Sequence, residues 1–148
     1  MRAGVVEYLD LNLSPAASPP GRQRHAYGNG PFAKLRMPKL PKKPGVYLWE
    51  EDGAVVYVGQ TRTPLSVRLG SQGYATISNY KTFARQPGRT NGGQQTNCRV
   101  NALANESLTA GHTLVIWYRT TQAENAPTEE AAWMERFGIP LWNRRDER

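Results

Sequence analysis

The chain holds one cysteine, Cys98, in 148 residues. A single thiol excludes an internal disulfide and any zinc site built on several cysteines, and it fits a reducing, cytoplasmic setting. No apolar run is long enough for a secretory leader or a membrane span, so no membrane partner is expected. Histidine is scarce too. His25 lies in a Pro-rich stretch and carries no signal, and His112 opens an apolar stretch and reads as structural. Acidic residues are outnumbered, 12 against 19 Lys and Arg, which leaves a formal charge of +7. They are missing altogether from 53–105, a tract that carries Arg62, Arg68, Lys81, Arg85, Arg89 and Arg99. A basic tract of this length suits a polyanion, because each phosphate contact releases counterions. A generally basic, soluble surface is the plainer reading.

Proline is sparse outside the first 44 residues, which contain seven of the eleven. Since proline removes backbone donors and disfavours helix, residues 1–44 read as an extended basic arm, with Val5 to Leu13 a short strand at most. From 45 on, the pattern is that of a folded domain. GVYLWEEDGAVVYVGQT (45–61) alternates as two strands around a Glu51-Asp52-Gly53 turn, with Gly53 able to take positive φ. This three-residue loop pairs Tyr47 with Tyr57 and sets both phenols on one sheet face. Thr63-Pro64 starts a helix that carries Leu65, Arg68 and Leu69. Residues 73–95 mix Gly, Asn and Arg with Tyr74, Tyr80 and Phe83, as a surface loop or short helix would. TNCRVNALANESLTAG repeats its apolar residues at helical spacing and stops at Gly111. HTLVIWYR is a strand, and a last helix runs from Pro127 to near Gly138. The order β-β-α-α-β-α predicts an α+β fold: a small three-stranded, mainly antiparallel sheet flanked by helices.

Several residues in this frame could do chemistry. On the last helix Glu130 lies three, four and seven residues before Trp133, Met134 and Phe137, on the apolar stripe, while Glu135 falls outward. A carboxylate on a buried face is costly unless paired. Glu130 is therefore either a ligand for a divalent cation or an acid at the core rim favoured by the helix dipole. Arg68 can point back across the face carrying the tyrosines and hold a phosphate with its fork of donors, or simply lie over Leu65. The tyrosines are either a phosphate-flanking pair or a core aromatic pair. Asn143, in IPLWN, either caps a turn or hydrogen-bonds the site.

Taken in order, a G-V-Y strand, a Y-V-G strand, an arginine, a helical glutamate and P-x-x-N resemble the GIY-YIG nuclease domain over residues 44–143. The resemblance makes 45–148 the nuclease domain and implies metal-dependent hydrolysis of DNA phosphodiester bonds, in a restriction-like, site-specific form. It places the catalytic group on Tyr47, Tyr57, Arg68, Glu130 and Asn143. Glu130 would hold one Mg²⁺ or Mn²⁺ ion, and Glu129 is a weaker candidate. Tyr47 would act as general base, giving 5′-phosphate and 3′-hydroxyl ends. The family histidine after the arginine is absent from LGSQGY, which leaves Tyr74 or Lys81 in its place. DNA, double-stranded, is the implied partner, with Arg62, Lys81, Arg85, Arg89 and Arg99 along its backbone. Arg85, Arg89, Asn91, Gln94, Gln95, Asn97 and Arg99 are also of the types that read base edges. A homodimer is expected because two strands need two sites. Two other readings stand beside this one: a non-catalytic nucleic-acid-binding module, and a subunit directed by a larger partner.

Overall fold

A computed structural model of the protein describes residues 2–5, 7–11, 24–25, 28–29, 32–70, 73–75 and 95–143. Five short strands come first: β1 (Arg2–Val5), β2 (Glu7–Leu11), β3 (Arg24–His25), β4 (Gly28–Asn29) and β5 (Ala33–Arg36). The expected order follows, with β6 (Gly45–Glu51), β7 (Ala54–Thr61), α1 (Leu65–Arg68), α2 (Gln95–Thr109), β8 (Leu114–Thr120) and α3 (Ala126–Phe137). The class is α+β. Strands β7, β6 and β8 form the antiparallel sheet, and β1 adds a fourth strand beside β8. β2 pairs with β5 in a separate ribbon. Residues before 44 are thus extended where described, and Ala33, Leu35 and Leu40 among them enter the core.

The hairpin register differs from the expected one. The loop has two residues, not three. Asp52 and Gly53 both take positive φ, 49° and 89°, the conformation whose twist matches that of the flanking strands. Asp52 tolerates it because its carboxylate accepts the Thr113 N–H at 2.8 Å and meets His112 at 2.6 Å. Pairing starts at Glu51↔Ala54, and one extra residue on β7 at Val56 then shifts it to Trp49↔Tyr57 and Tyr47↔Gly59. Tyr47 and Tyr57 are therefore diagonal rather than opposed, still on one face, with ring centroids 6.3 Å apart.

That face carries the main core. Trp49 is fully buried and meets Tyr74 edge-on at 5.8 Å and Trp142 at 5.9 Å. Leu65 and Leu69, buried as their spacing predicts, pack with Val100 and Ala104 of α2. α1 is only four residues long. Pro64 takes the cap position, and the Thr63 hydroxyl bonds Thr61 Oγ1 instead of capping the helix. α2 ends before Gly111, whose φ is +92°. α3 lies against β7 and β6. Cys98 is buried beside Phe32, and burial pushes its thiol up to about 12, which disfavours the nucleophilic thiolate. Among the described residues, no helix is long and apolar enough to cross a membrane.

Candidate active site

A polar cleft of about 400 Å³ opens beside the hairpin and is lined by residues from β6, β7, α1, α2 and α3 and from the segments at Tyr74 and at 139–143. β6 and β7 contribute Tyr47, Tyr57 and Gln60, the segment after β7 gives Arg68 and Tyr74, α2 gives Thr96 and Arg99, and α3 gives Glu130 and Met134. Ile139 and Asn143 close it on the C-terminal side.

Two glycines decide where the aromatic groups sit. Tyr47 lies across the backbone of Gly59, its direct partner on β7. A Cβ at Gly59 would lie 2.5 Å from both Cζ and Oη of that ring. The glycine of Y-V-G is therefore a seat for the tyrosine of G-V-Y. Gly73 serves a second close approach, since a Cβ there would meet the Arg68 carbonyl oxygen at 1.7 Å. That approach lets Tyr74 N–H bond the Arg68 carbonyl at 3.3 Å and turns Tyr74 back into the core.

Tyr74 is the hub of the site. Its hydroxyl lies 2.7 Å from that of Tyr47 and 3.0 Å from that of Tyr57, and it accepts from Arg68 Nη2 at 2.9 Å. The Arg68 guanidinium also sits 4.5 Å from the Tyr74 ring centroid and donates from Nη1 to Asn97 Oδ1 at 2.6 Å. A phenol has one hydrogen to donate. Tyr74 therefore donates to only one of Tyr47 and Tyr57 and accepts from the other. Of these two, one keeps its O–H for the cleft and the other offers lone pairs only. The network is polarised: one donor and one acceptor, a few ångströms apart.

Burial governs the ionisation of these groups. It pushes the Tyr47 phenol well above the usual range, with Tyr57 adding to the shift, and the nearby Arg68 does not offset it. Burial raises Tyr57 and Tyr74 likewise, helped by Tyr74 and Tyr47 respectively. For Arg68, burial works against the charge, but the phenols outweigh it and the guanidinium is held charged. Glu130 is half-buried, and desolvation raises its carboxyl. Among the described residues the Glu130 carboxylate has no hydrogen bond or ion pair, whereas that of Glu129 sits 3.8 Å from Arg119 on β8.

Tyr47, Tyr57, Arg68 and Glu130 thus converge on one cleft, and Asn143 reaches it too. The amide of Asn143 is taken up by Val58: Oδ1 accepts its N–H at 2.9 Å and Nδ2 donates to its carbonyl at 2.9 Å. Asn143 fixes the C-terminal turn to β7 and positions the cleft wall. Arg99 lines the cleft and donates to the Trp142 carbonyl, whereas Arg62 is exposed on the link after β7. Lys81, Arg85 and Arg89 lie outside the described residues, as do Asn91 and Gln94. Of the two substitutes for the histidine that the resemblance calls for, Tyr74 lines the cleft, and Lys81 is not among the described residues. Asn97 holds Arg68 rather than facing outward.

The sequence reading missed Asn101. It is fully buried, accepts the Ala33 N–H at 2.8 Å, and donates to the Ala33 carbonyl at 3.0 Å and the Tyr74 carbonyl at 2.6 Å. It clamps the Tyr74 turn to β5. Its signal is an asparagine stripe, Asn97-Asn101-Asn105, at helical spacing on a face that is otherwise apolar.

No family model, no curated protein and no solved structure matches the chain.

Proposed function

We propose that the chain is a divalent-metal-dependent endonuclease that hydrolyses DNA phosphodiester bonds. The observation that carries the reading is the convergence of Tyr47, Tyr57, Arg68, Tyr74 and Glu130 on one polar cleft. The cleft suits a phosphate. Arg68 brings a fixed charge, and Thr96 and Arg99 come from the first turns of α2, the positive end of its dipole. In that cleft the Arg68 side chain, oriented by Tyr74 and Asn97, would balance the charge that builds on the phosphate oxygens.

The donors fit a hard cation held mainly by water and substrate. Glu130 is the carboxylate of the cleft, and among the described residues no three His, Cys, Asp or Glu gather into a metal cluster. Such sites match Mg²⁺ or Mn²⁺, which keep most of their waters, with Glu130 as the protein ligand. When bound, the ion supplies Lewis-acid polarisation of the phosphate and charge relief for the departing 3′ oxygen. The chain's residues do the rest. Tyr47 would receive the hydrogen bond of the attacking water and, with its own proton released to solvent and the phenolate favoured by Arg68 against the effect of burial, take the proton of that water. The water oxygen bonds to phosphorus as the bond to the 3′ oxygen breaks, leaving 5′-phosphate and 3′-hydroxyl ends. Tyr57 contributes the second contact of the polarised pair and orients the phosphate.

One observation favours a second reading. Burial holds the phenols neutral, and a site with neutral phenols and one carboxylate could bind a nucleic acid without cutting it. Plasmid nicking with Mg²⁺ or Mn²⁺, and with EDTA, separates the two. Wild type nicks only with metal, and Glu130→Gln binds DNA without nicking. A wild type that shifts DNA in a gel and never nicks it is a binding module.

A further inference from the structure

A branched aliphatic side chain stands at the lip of the cleft, where the proposed chemistry has no use for it. Ile139 lines the cleft together with Tyr47, Arg68 and Glu130, yet 57% of its surface is exposed. Showing an isoleucine to water is unfavourable compared with burying it. The turn that carries it is firmly held. Gly138 breaks α3 with φ of 74°, and Pro140 is buried and its carbonyl accepts the Asn143 N–H at 2.9 Å. Trp142 is buried, Arg99 donates to its carbonyl, and Asn143 is paired to Val58. Exposure and burial alternate along 139–142, so the anchors point inward and Ile139 points out.

The surroundings decide what meets it. Arg68 and Arg99 line the same cleft, and the Arg136 guanidinium lies 5.3 Å from the Phe137 ring just before the turn. An apolar protein patch seated there would desolvate these cations, whereas a polyanion would pair with them. An aliphatic tip beside cations suits one part of a nucleic acid, the stacked faces of the bases. Apolar side chains set between base steps in this way unstack them and kink the duplex.

We propose that Ile139 is a wedge that inserts at a base step of duplex DNA next to the phosphate held in the cleft. The inference rests on the nuclease reading for its substrate, and its test does not depend on cleavage. The probe is an alternating adenine–thymine duplex with 2-aminopurine at the adenine positions, whose fluorescence rises on unstacking. It is titrated with the Glu130→Gln protein, which leaves the strands intact. A severalfold rise on saturation is expected. Ile139→Ala added to that protein should lose most of the rise, and Ile139→Leu should keep it. Binding by anisotropy should show the same salt dependence in all three. Saturated binding without a rise, or an equal rise with Ile139→Ala, overturns the wedge and leaves the nuclease reading to the nicking assay. A dimer in sedimentation that Ile139→Ala dissociates would also overturn it, since Ile139 would then be covered by a second copy.

Discussion

Replacing Gly59 by alanine tests the seat beneath Tyr47. The added methyl would lie 2.5 Å from Cζ and Oη of the ring, and 2.7 Å from Cε2. Carbon atoms pack at about 3.5–4.0 Å, so the ring must retreat by about 1 Å. Tyr47 is fully buried, and its hydroxyl is 2.7 Å from that of Tyr74. A retreat of that size presses the ring into its neighbours and breaks this hydrogen bond. Overpacking of this kind costs about 2 kcal/mol, or about 4–8 °C in melting temperature for a chain of this size. The proposed cleavage should fall about 100-fold, because a displacement of about 1 Å at the proposed base is enough for that. Thermal unfolding followed by tryptophan fluorescence reads the first effect, and single-turnover cleavage reads the second. A double-mutant cycle isolates the cause. Tyr47→Ala removes the obstructing ring, so adding Gly59→Ala to it should cost almost nothing more, giving a coupling of about 2 kcal/mol. Additive losses in that cycle, or a Gly59→Ala protein that melts and cuts like wild type, would refute the seat.

Tyr74→Phe keeps the ring and removes the hub, leaving Arg68 Nη2 and the two outer phenols without that partner; a loss of about 1–3 kcal/mol in urea unfolding and a larger proportional loss of cleavage are expected. Arg68→Lys cannot reach both Tyr74 and Asn97 with one ammonium, so phosphoryl hydrolysis should drop about 100-fold while duplex affinity in anisotropy changes little. Glu130→Gln should melt no lower than wild type at neutral pH: a carboxyl whose folded value is raised binds protons more tightly when folded, so its charged form weakens the fold above that value. A clear drop in its melting temperature would show that the charged carboxylate is satisfied in the fold. The Asp52–His112 pair gives a pH signature. His112 is raised mainly by its hydrogen bond to Asp52, so its contribution is complete below about pH 6.5 and is lost as pH climbs through the raised value. Asp52 is lowered, first by the Thr113 N–H, so its share is lost only in acid. Melting temperature should decline as pH rises above about 6.5 in wild type, and less so in His112→Gln.

The element order was legible because periodicity reports which face is buried, and Leu65, Leu69, Val100 and Ala104 are all core residues as their spacing implied. The hairpin register was not legible. Asp52 at positive φ depends on contacts to His112 and Thr113, some sixty residues away, and the extra residue at Val56 leaves no mark in composition. Tyr47, Tyr57, Arg68 and Glu130 line one cleft, and it was the resemblance in motif order that grouped them, since no periodicity links residues on separate elements. The central place of Tyr74 was not legible. It arises from a close backbone approach at Gly73 and from the Asn101 clamp, both long-range and both outside any repeating pattern. Strand β1 was hidden for a similar reason, since its pairing partner β8 lies over a hundred residues further on.

The hairpin also limits how its length can vary. Side chains alternate faces along a strand, so Tyr47 and Tyr57 share a side only when the offset between their strands is even. A two-residue loop alone gives an odd offset, and the extra residue at Val56 restores the even one. Turn and bulge therefore form one parity-preserving unit. With the loop kept at two residues, an insertion of one residue into a strand is tolerable only if the bulge is lost with it, and an insertion of two can leave the bulge in place. An alignment of other chains built this way should show gaps here in compensating pairs, as a frameshift is suppressed by a second one nearby.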